Sequence, residues 1–158
     1  MIAHRRFTMA LYLMALVVLV DQLTKWWAMG QVIQPPHYVI VNSFFNLVLV
    51  WNKGITFGLF SKFDHMYVSY FLIVVAAVII GLLGRWLWRT SSMKVSFGLA
   101  MVMGGAIGNV IDRVRYGAVF DFLDFYYRDY HWYAFNIADA AIVVGVGLLL
   151  LDSLVRGR

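Results

Sequence analysis

Four apolar stretches constrain this chain more than anything else in it: Phe7–Trp27, Met66–Gly84, Val95–Ile111 and Tyr133–Leu151. Each is close to the roughly 20 residues a helix needs to cross a bilayer. Backbone groups cannot stay unpaired in hydrocarbon, so each stretch is expected to be helical. Charged residues make up 13% of the sequence, about half the usual share of a soluble domain. The surface therefore cannot all be wet. Residues 1–158 are expected to form a single all-α membrane domain of four transmembrane helices.

His4, Arg5 and Arg6 before an apolar run imitate the start of a signal peptide. The run continues through Asp21 and Lys25 to Trp27 without a small-residue cleavage site, so we read it as a retained span. Four spans put both termini on one side. Arg5, Arg6, Arg85, Arg89, Lys94, Arg156 and Arg158 crowd that side's short tails and loop, whereas Lys25, Lys53, Lys62, Arg113, Arg115 and Arg128 spread over two long segments. The positive-inside rule then predicts cytoplasmic termini. Trp26, Trp27 and Trp132 would mark the outer interface, Trp86 and Trp88 the inner one. Membrane topology and anionic lipid account for the net charge of +5 without nucleic acid.

The outer segments are 28–65 and 112–132. In the first, Gln34-Pro35-Pro36 breaks the helix. Tyr38–Val41 and Asn46–Trp51 are rich in β-branched and aromatic residues and predict short strands, a small extracytoplasmic β-sheet region. The second, with Asp121, Asp124 and Asp129 among aromatics, is expected to be an outer loop with an interfacial helix or a re-entrant turn.

Within the fourth stretch stands Asp139. A carboxylate at a helix centre in lipid costs about 2.5–3.5 kcal/mol, which makes it a functional candidate. At 1.5 Å per residue it would lie about 9 Å below Tyr133. Asp112 ends the third span and Asp121 begins the return toward the fourth, so several carboxylates can converge at one depth. Two carboxylates in contact share a proton, and their apparent pKa values split. One can then activate water while the other protonates a carbonyl or a leaving amine, as in aspartic proteases. For Asp64, Asp124 and Asp129 the plain reading is capping a helix or pairing with a neighbouring Lys or Arg.

Other strings have plain readings too. Gly104 and Gly108, four apart, allow close helix packing. Asn109 and Asp112 share a helical face at i and i+3. Asp21 and Lys25, at i and i+4, read as a self-neutralising pair with Lys25 snorkelling outward. Trp51–Gly58 reads as a turn carrying two glycines or a substrate-facing loop. The chain has no cysteine. His4, His37, His65 and His131 lack metal-ligand spacing, and each reads as an interface or capping residue. Ser61 beside Lys62 is poorly placed for burial and activation as a nucleophile.

Taken together, five strings resemble bacterial lipoprotein signal peptidase, the signal peptidase II family. They are Asp21–Lys25, Asn52–Phe57, Gly104–Arg113, Val119–Phe125 and Phe135–Asp139. They occur in the family's order across essentially the whole chain; Thr56 departs, where a smaller residue is expected. The resemblance implies an intramembrane aspartic endopeptidase of the bacterial inner membrane, acting without metal or cofactor near the outer face. It implies cleavage of prolipoproteins just before a diacylglyceryl-bearing cysteine. Asp121 and Asp139 correspond to the family's catalytic pair; spacing alone does not separate Asp121 from Asp112 or Asp124. Asp21, Lys25, Asn52, Gly54, Asn109, Asp112, Arg113 and Asn136 correspond to its supporting and substrate-binding positions. A monomer suffices for one aspartate pair.

Buried acids also suit a small proton-coupled carrier, with Asp139 and Asp112 as relay sites, although four spans without inverted repeats fit that poorly.

Overall fold

The computed structural model describes residues 2–54 and 65–156. In chain order the elements are α1 (Ile2–Val32), β1 (Tyr38–Asn42), β2 (Phe45–Asn52), α2 (His65–Arg89), α3 (Met93–Tyr116), β3 (Val119–Tyr127), β4 (Tyr130–His131) and α4 (Ile137–Arg156). All four helices are long and apolar enough to cross a membrane. They run beyond the apolar stretches because polar ends such as Gln31 and Arg89 still suit a helix once it leaves the hydrocarbon.

Helix α3 is the centre of the bundle and packs against α4, α1 and α2. In its most apolar window 56% of residues are buried, against 11% for α1 and α2 and 17% for α4. The outer three turn Leu16, Leu19, Val74, Leu82, Val143 and Leu150 outward. Such a continuous apolar surface is sustained by lipid rather than water. Ser92 caps the start of α3 by accepting from the Val95 N–H. Gly117, at φ 71°, ends it with an N–H donated to the Arg113 carbonyl, the left-handed stop that glycine adopts without a Cβ clash.

Glycines make the central packing possible, as expected for Gly104 and Gly108. A Cβ on Gly104 would lie 2.9 Å from the Met14 carbonyl of α1, and one on Gly108 would lie 2.6 Å from Asp21 Oδ2. On Gly105 it would overlap the Ala138 carbonyl of α4. Gly105→Ala is therefore expected to push α4 away and cost about 1–3 kcal/mol. Gly81→Ala, with nothing within 4 Å of the new carbon, should be neutral or stabilising by up to about 1 kcal/mol. Thermal unfolding in detergent compares the two; equal shifts would remove the close-packing explanation.

The strands form one antiparallel sheet in the order β1-β2-β3-β4. β1 and β2 lie where the sequence predicts strands. The second outer segment does not: Val119–Tyr127 is a strand, not an interfacial helix or re-entrant turn. Its aromatic and β-branched content suits a pleated surface, and it pairs with β2 from Phe45↔Phe125 to Asn52↔Val119. Phe120 and Phe122 pack with Leu47 against Ala28 and Val32, pinning the sheet to the last turns of α1. Full burial of one such Phe is worth about 1.5–3 kcal/mol.

A second correction concerns α4, which starts at Ile137 rather than Tyr133. Phe135 exchanges backbone hydrogen bonds with Leu123 of β3, at 3.1 and 2.9 Å. The chain is thus extended up to the helix start, and Asp139 lies in the first turn of α4. It is not a mid-helix carboxylate about 9 Å below Tyr133.

Candidate active site

Two polar clusters meet where α1, α3, β3 and α4 converge. The first is centred on Lys25. Its Nζ lies 2.9 Å from Asp21 Oδ2 and 2.8 Å from Asp112 Oδ2, and all three residues are buried. Lys25 therefore does not snorkel outward, because a second carboxylate on α3 draws the ammonium into the bundle. Asp21 Oδ1 accepts the Ala138 N–H at 2.9 Å, and Asp112 Oδ2 accepts the Phe120 N–H at 3.1 Å. The ion cluster thus ties α1 to the first turn of α4, and α3 to β3. Gln22 completes it by donating to Asp21 Oδ2, the Gly108 carbonyl and Asp112 Oδ1. Gln22 was not among the expected site residues; an amide beside Asp21 in an apolar run was the available signal.

The second cluster holds Asp121 and Asp139. Asp121 is buried near the start of β3. Its Oδ1 accepts from Asn136 Nδ2 at 2.7 Å and its Oδ2 from Asn52 Nδ2 at 3.0 Å. Asp139 Oδ1 accepts from Asn109 Nδ2 at 2.8 Å, and its Oδ2 from the Asn136 backbone N–H at 3.2 Å. In return Asn136 Oδ1 accepts the Asp139 N–H at 3.0 Å. This reciprocal pair is a capping box in which Asn136 and Asp139 satisfy N–H groups left open at the entry to α4.

Asn136, fully buried, thereby contacts both carboxylates. Asn109 links the clusters. Its Oδ1 receives Lys25 Nζ at 3.3 Å and Asn136 Nδ2 at 3.2 Å. Two donors on the oxygen leave the Asn109 NH₂ for Asp139. Arg113, one helical turn on, is within electrostatic reach of Asp139, Asp121 and Asp112. Gly54, at φ 75°, donates its N–H to Asn52 Oδ1 at 2.9 Å, which fixes the Asn52 amide that faces Asp121. All ten expected site residues thus belong to this one corner of the fold. Ile55, Thr56 and Phe57, like Ser61, Lys62 and Asp64, lie outside the described residues.

Burial pushes the Asp121 carboxyl up to about 6, with the nearby Asp139 charge adding to the rise and the Asn52 and Asn136 amides and Lys25 opposing it. One carboxylate that holds its proton near neutrality, electrostatically coupled to another, is the arrangement that acid–base catalysis requires. Asp124 stands apart: it pairs with His131, Nδ1 to Oδ2 at 2.8 Å, and accepts from Asn46. Its partners are thus a histidine and an amide, not the helix cap or the neighbouring Lys or Arg expected of it.

The sequence profile described as Signal peptidase (SPase) II matches residues 13–155. The chain belongs to the signal peptidase II family. Two relatives, both named lipoprotein signal peptidase, come from Solibacter usitatus and Syntrophotalea carbinolica. They are 42% and 43% identical, over 89% and 92% of this chain and 87% and 91% of their own. A solved bacterial membrane enzyme superposes with a TM-score of 0.80 at 25% identity over 93% of each chain. As a signal peptidase II, the chain is a membrane-embedded peptidase, and the carrier reading finds no support.

Proposed function

We propose that this peptidase removes the signal peptide from lipid-modified prolipoproteins, cutting before the diacylglyceryl-bearing cysteine, with Asp121 and Asp139 as its catalytic pair. The observation that carries the reading is Asn136, one buried residue whose side-chain NH₂ bonds the Asp121 carboxylate and whose backbone N–H bonds the Asp139 carboxylate, at the entry to a transmembrane helix. In this reaction the ionised aspartate takes a proton from water as the water oxygen attacks the scissile carbonyl carbon. The protonated aspartate gives its proton to the carbonyl oxygen. The tetrahedral intermediate then collapses: one of its hydroxyls returns a proton to the aspartate that has just been ionised, the C–N bond breaks, and the departing amine takes a proton from the other aspartate. Asp121, which burial keeps protonated to higher pH, suits the acid role, leaving Asp139 as the base.

Asn109, Asn136 and Asn52 hold the two carboxylates, and Arg113 balances developing charge. The Asp21–Lys25–Asp112 cluster fixes the elements that carry them, and Gly54 keeps Asn52 in place. The signal helix and acyl chains remain in lipid. The termini would be cytoplasmic, the pair would lie near the outer face of the inner membrane, and a monomer would be complete.

The test is purified protein in detergent with a diacylglyceryl-modified prolipoprotein, reading the mass of both products. A cut before the modified cysteine is expected. Cleavage elsewhere, or equally fast cleavage without the diacylglyceryl group, would end the proposal. The pH profile adds a second check. Above about 6 Asp121 loses its proton, so the singly protonated pair disappears and kcat/KM of the free enzyme should fall as pH rises through that region. A profile flat from about pH 5 to 8 would remove Asp121 as the proton-bearing partner.

A further inference from the structure

The ion cluster and the aspartate pair are joined at two backbone points. Asp112 Oδ2 accepts the N–H of Phe120, the residue before Asp121. Asp21 Oδ1 accepts the N–H of Ala138, the residue before Asp139. The gap between Asp112 and Asp21 therefore enters the gap between the two proposed catalytic carboxylates.

Lys25 is one bridge across that gap, with Nζ 2.8 and 2.9 Å from the two Oδ2 atoms. Gln22 is the second. Its Nε2 lies 3.0 Å from Asp112 Oδ1, 3.2 Å from Asp21 Oδ2 and 3.3 Å from the Gly108 carbonyl. Two acids face one ammonium here, and the amide adds donors without a charge of its own. An amide turned over would aim its oxygen at those same acceptors. Arg115, exposed near the end of α3, opposes this by donating from Nη1 to Gln22 Oε1 at 3.3 Å. A guanidinium offers no acceptor, so only the amide oxygen can face it, and the Gln22 NH₂ is left pointing inward.

We propose that Gln22, oriented by Arg115, is a positioning residue that sets the separation of Asp121 and Asp139 through Asp112 and Asp21. The inference rests on the peptidase reading. Gln22 acts through the carboxylates of the ion cluster and not on the substrate. Such remote placement is visible in a rate, because a misplacement of about 1 Å at reacting groups can cost about 100-fold.

Gln22→Met keeps the length of the side chain and removes its donors and its acceptor. In the full-length chain in detergent, with a diacylglyceryl lipopeptide, it should lower kcat about tenfold, the scale of a hydrogen bond to a charged group. KM should stay within about twofold, because no contact to substrate is lost. Arg115→Met, at an exposed position, leaves the core undisturbed. It should lower kcat about threefold on its own, as an exposed ionic contact does, and have no effect once Gln22 is Met.

The pH profile separates positioning from mere support. Asp121 titrates near 6 because burial and the Asp139 charge raise it against Asn52, Asn136 and Lys25; Arg113 faces the pair from α3. A wider gap weakens the Asp139 contribution, so the fall of kcat/KM should move to lower pH in Gln22→Met. An unchanged kcat in Gln22→Met, or a slower folded enzyme whose pH profile has not moved, overturns the positioning role and leaves the peptidase reading intact. So does an Arg115→Met loss that persists without Gln22. If the unaltered enzyme cuts no lipopeptide, the peptidase reading fails and takes this inference with it.

Discussion

Asp121→Asn and Asp139→Asn are each expected to lower kcat by about 10²- to 10⁴-fold, the usual contribution of a positioned acid or base. The two residues act on one reaction as a unit. The double variant should therefore be little slower than either single one, far from the product of the two losses. An amide cannot exchange the proton, yet it keeps the size of the carboxyl. At position 139 it also keeps an oxygen for the Asn136 N–H, so the capping box survives in altered form and α4 should still start at Ile137. Single-turnover cleavage of a diacylglyceryl lipopeptide, with thermal unfolding as a folding control, provides the measurement. A folded Asp139→Asn enzyme that keeps more than about a tenth of the activity would contradict the two-carboxylate mechanism.

The largest effect on stability is expected from Lys25→Met. The substitution keeps an apolar stem and removes the ammonium that lies between Asp21 and Asp112. Breaking a buried ion pair on one side leaves charge without compensation and costs about 3–5 kcal/mol. Here two carboxylates lose their cation together. They also hold the Ala138 and Phe120 N–H groups, so α4 and β3 should loosen. Activity should fall as well, because Asn109 Oδ1 loses one of the donors that turn its amide toward Asp139. Neutralising all three, as Asp21→Asn, Lys25→Met and Asp112→Asn, should recover much of the stability, since a buried triad can give way to uncharged groups with little loss. Chemical or thermal unfolding in detergent distinguishes the cases. A Lys25→Met protein as stable as the unaltered one would show that the cluster holds nothing together.

The four helices could be read in the sequence because each depends on local composition: an uninterrupted apolar run must satisfy its backbone within itself. The strands β1 and β2 were legible for a similar reason, their β-branched and aromatic residues standing between turn signals. β3 carried the same residue types, but its aspartates, three residues apart at 121 and 124, also suited the face of a surface helix. What made it a strand was its pairing with β2, a partner far away in the chain and invisible to any local pattern.

The site divides in the same way. The residue types and order that resemble the signal peptidase II family already named Asp121, Asp139 and their polar neighbours. Sequence placed Asp139 deep in a span because Tyr133–Leu151 is apolar throughout. The fold moved the helix start to Ile137, since Phe135 bonds to Leu123, and so turned a mid-membrane acid into a capping residue beside Asp121. Lys25 looked able to reach water because only its own helix could be considered. Asp112 reversed its direction from the neighbouring helix. Local pattern settles which segments are helical and which polar residues they carry. The direction in which a buried polar group points depends on partners that only the packed chain brings within hydrogen-bonding distance.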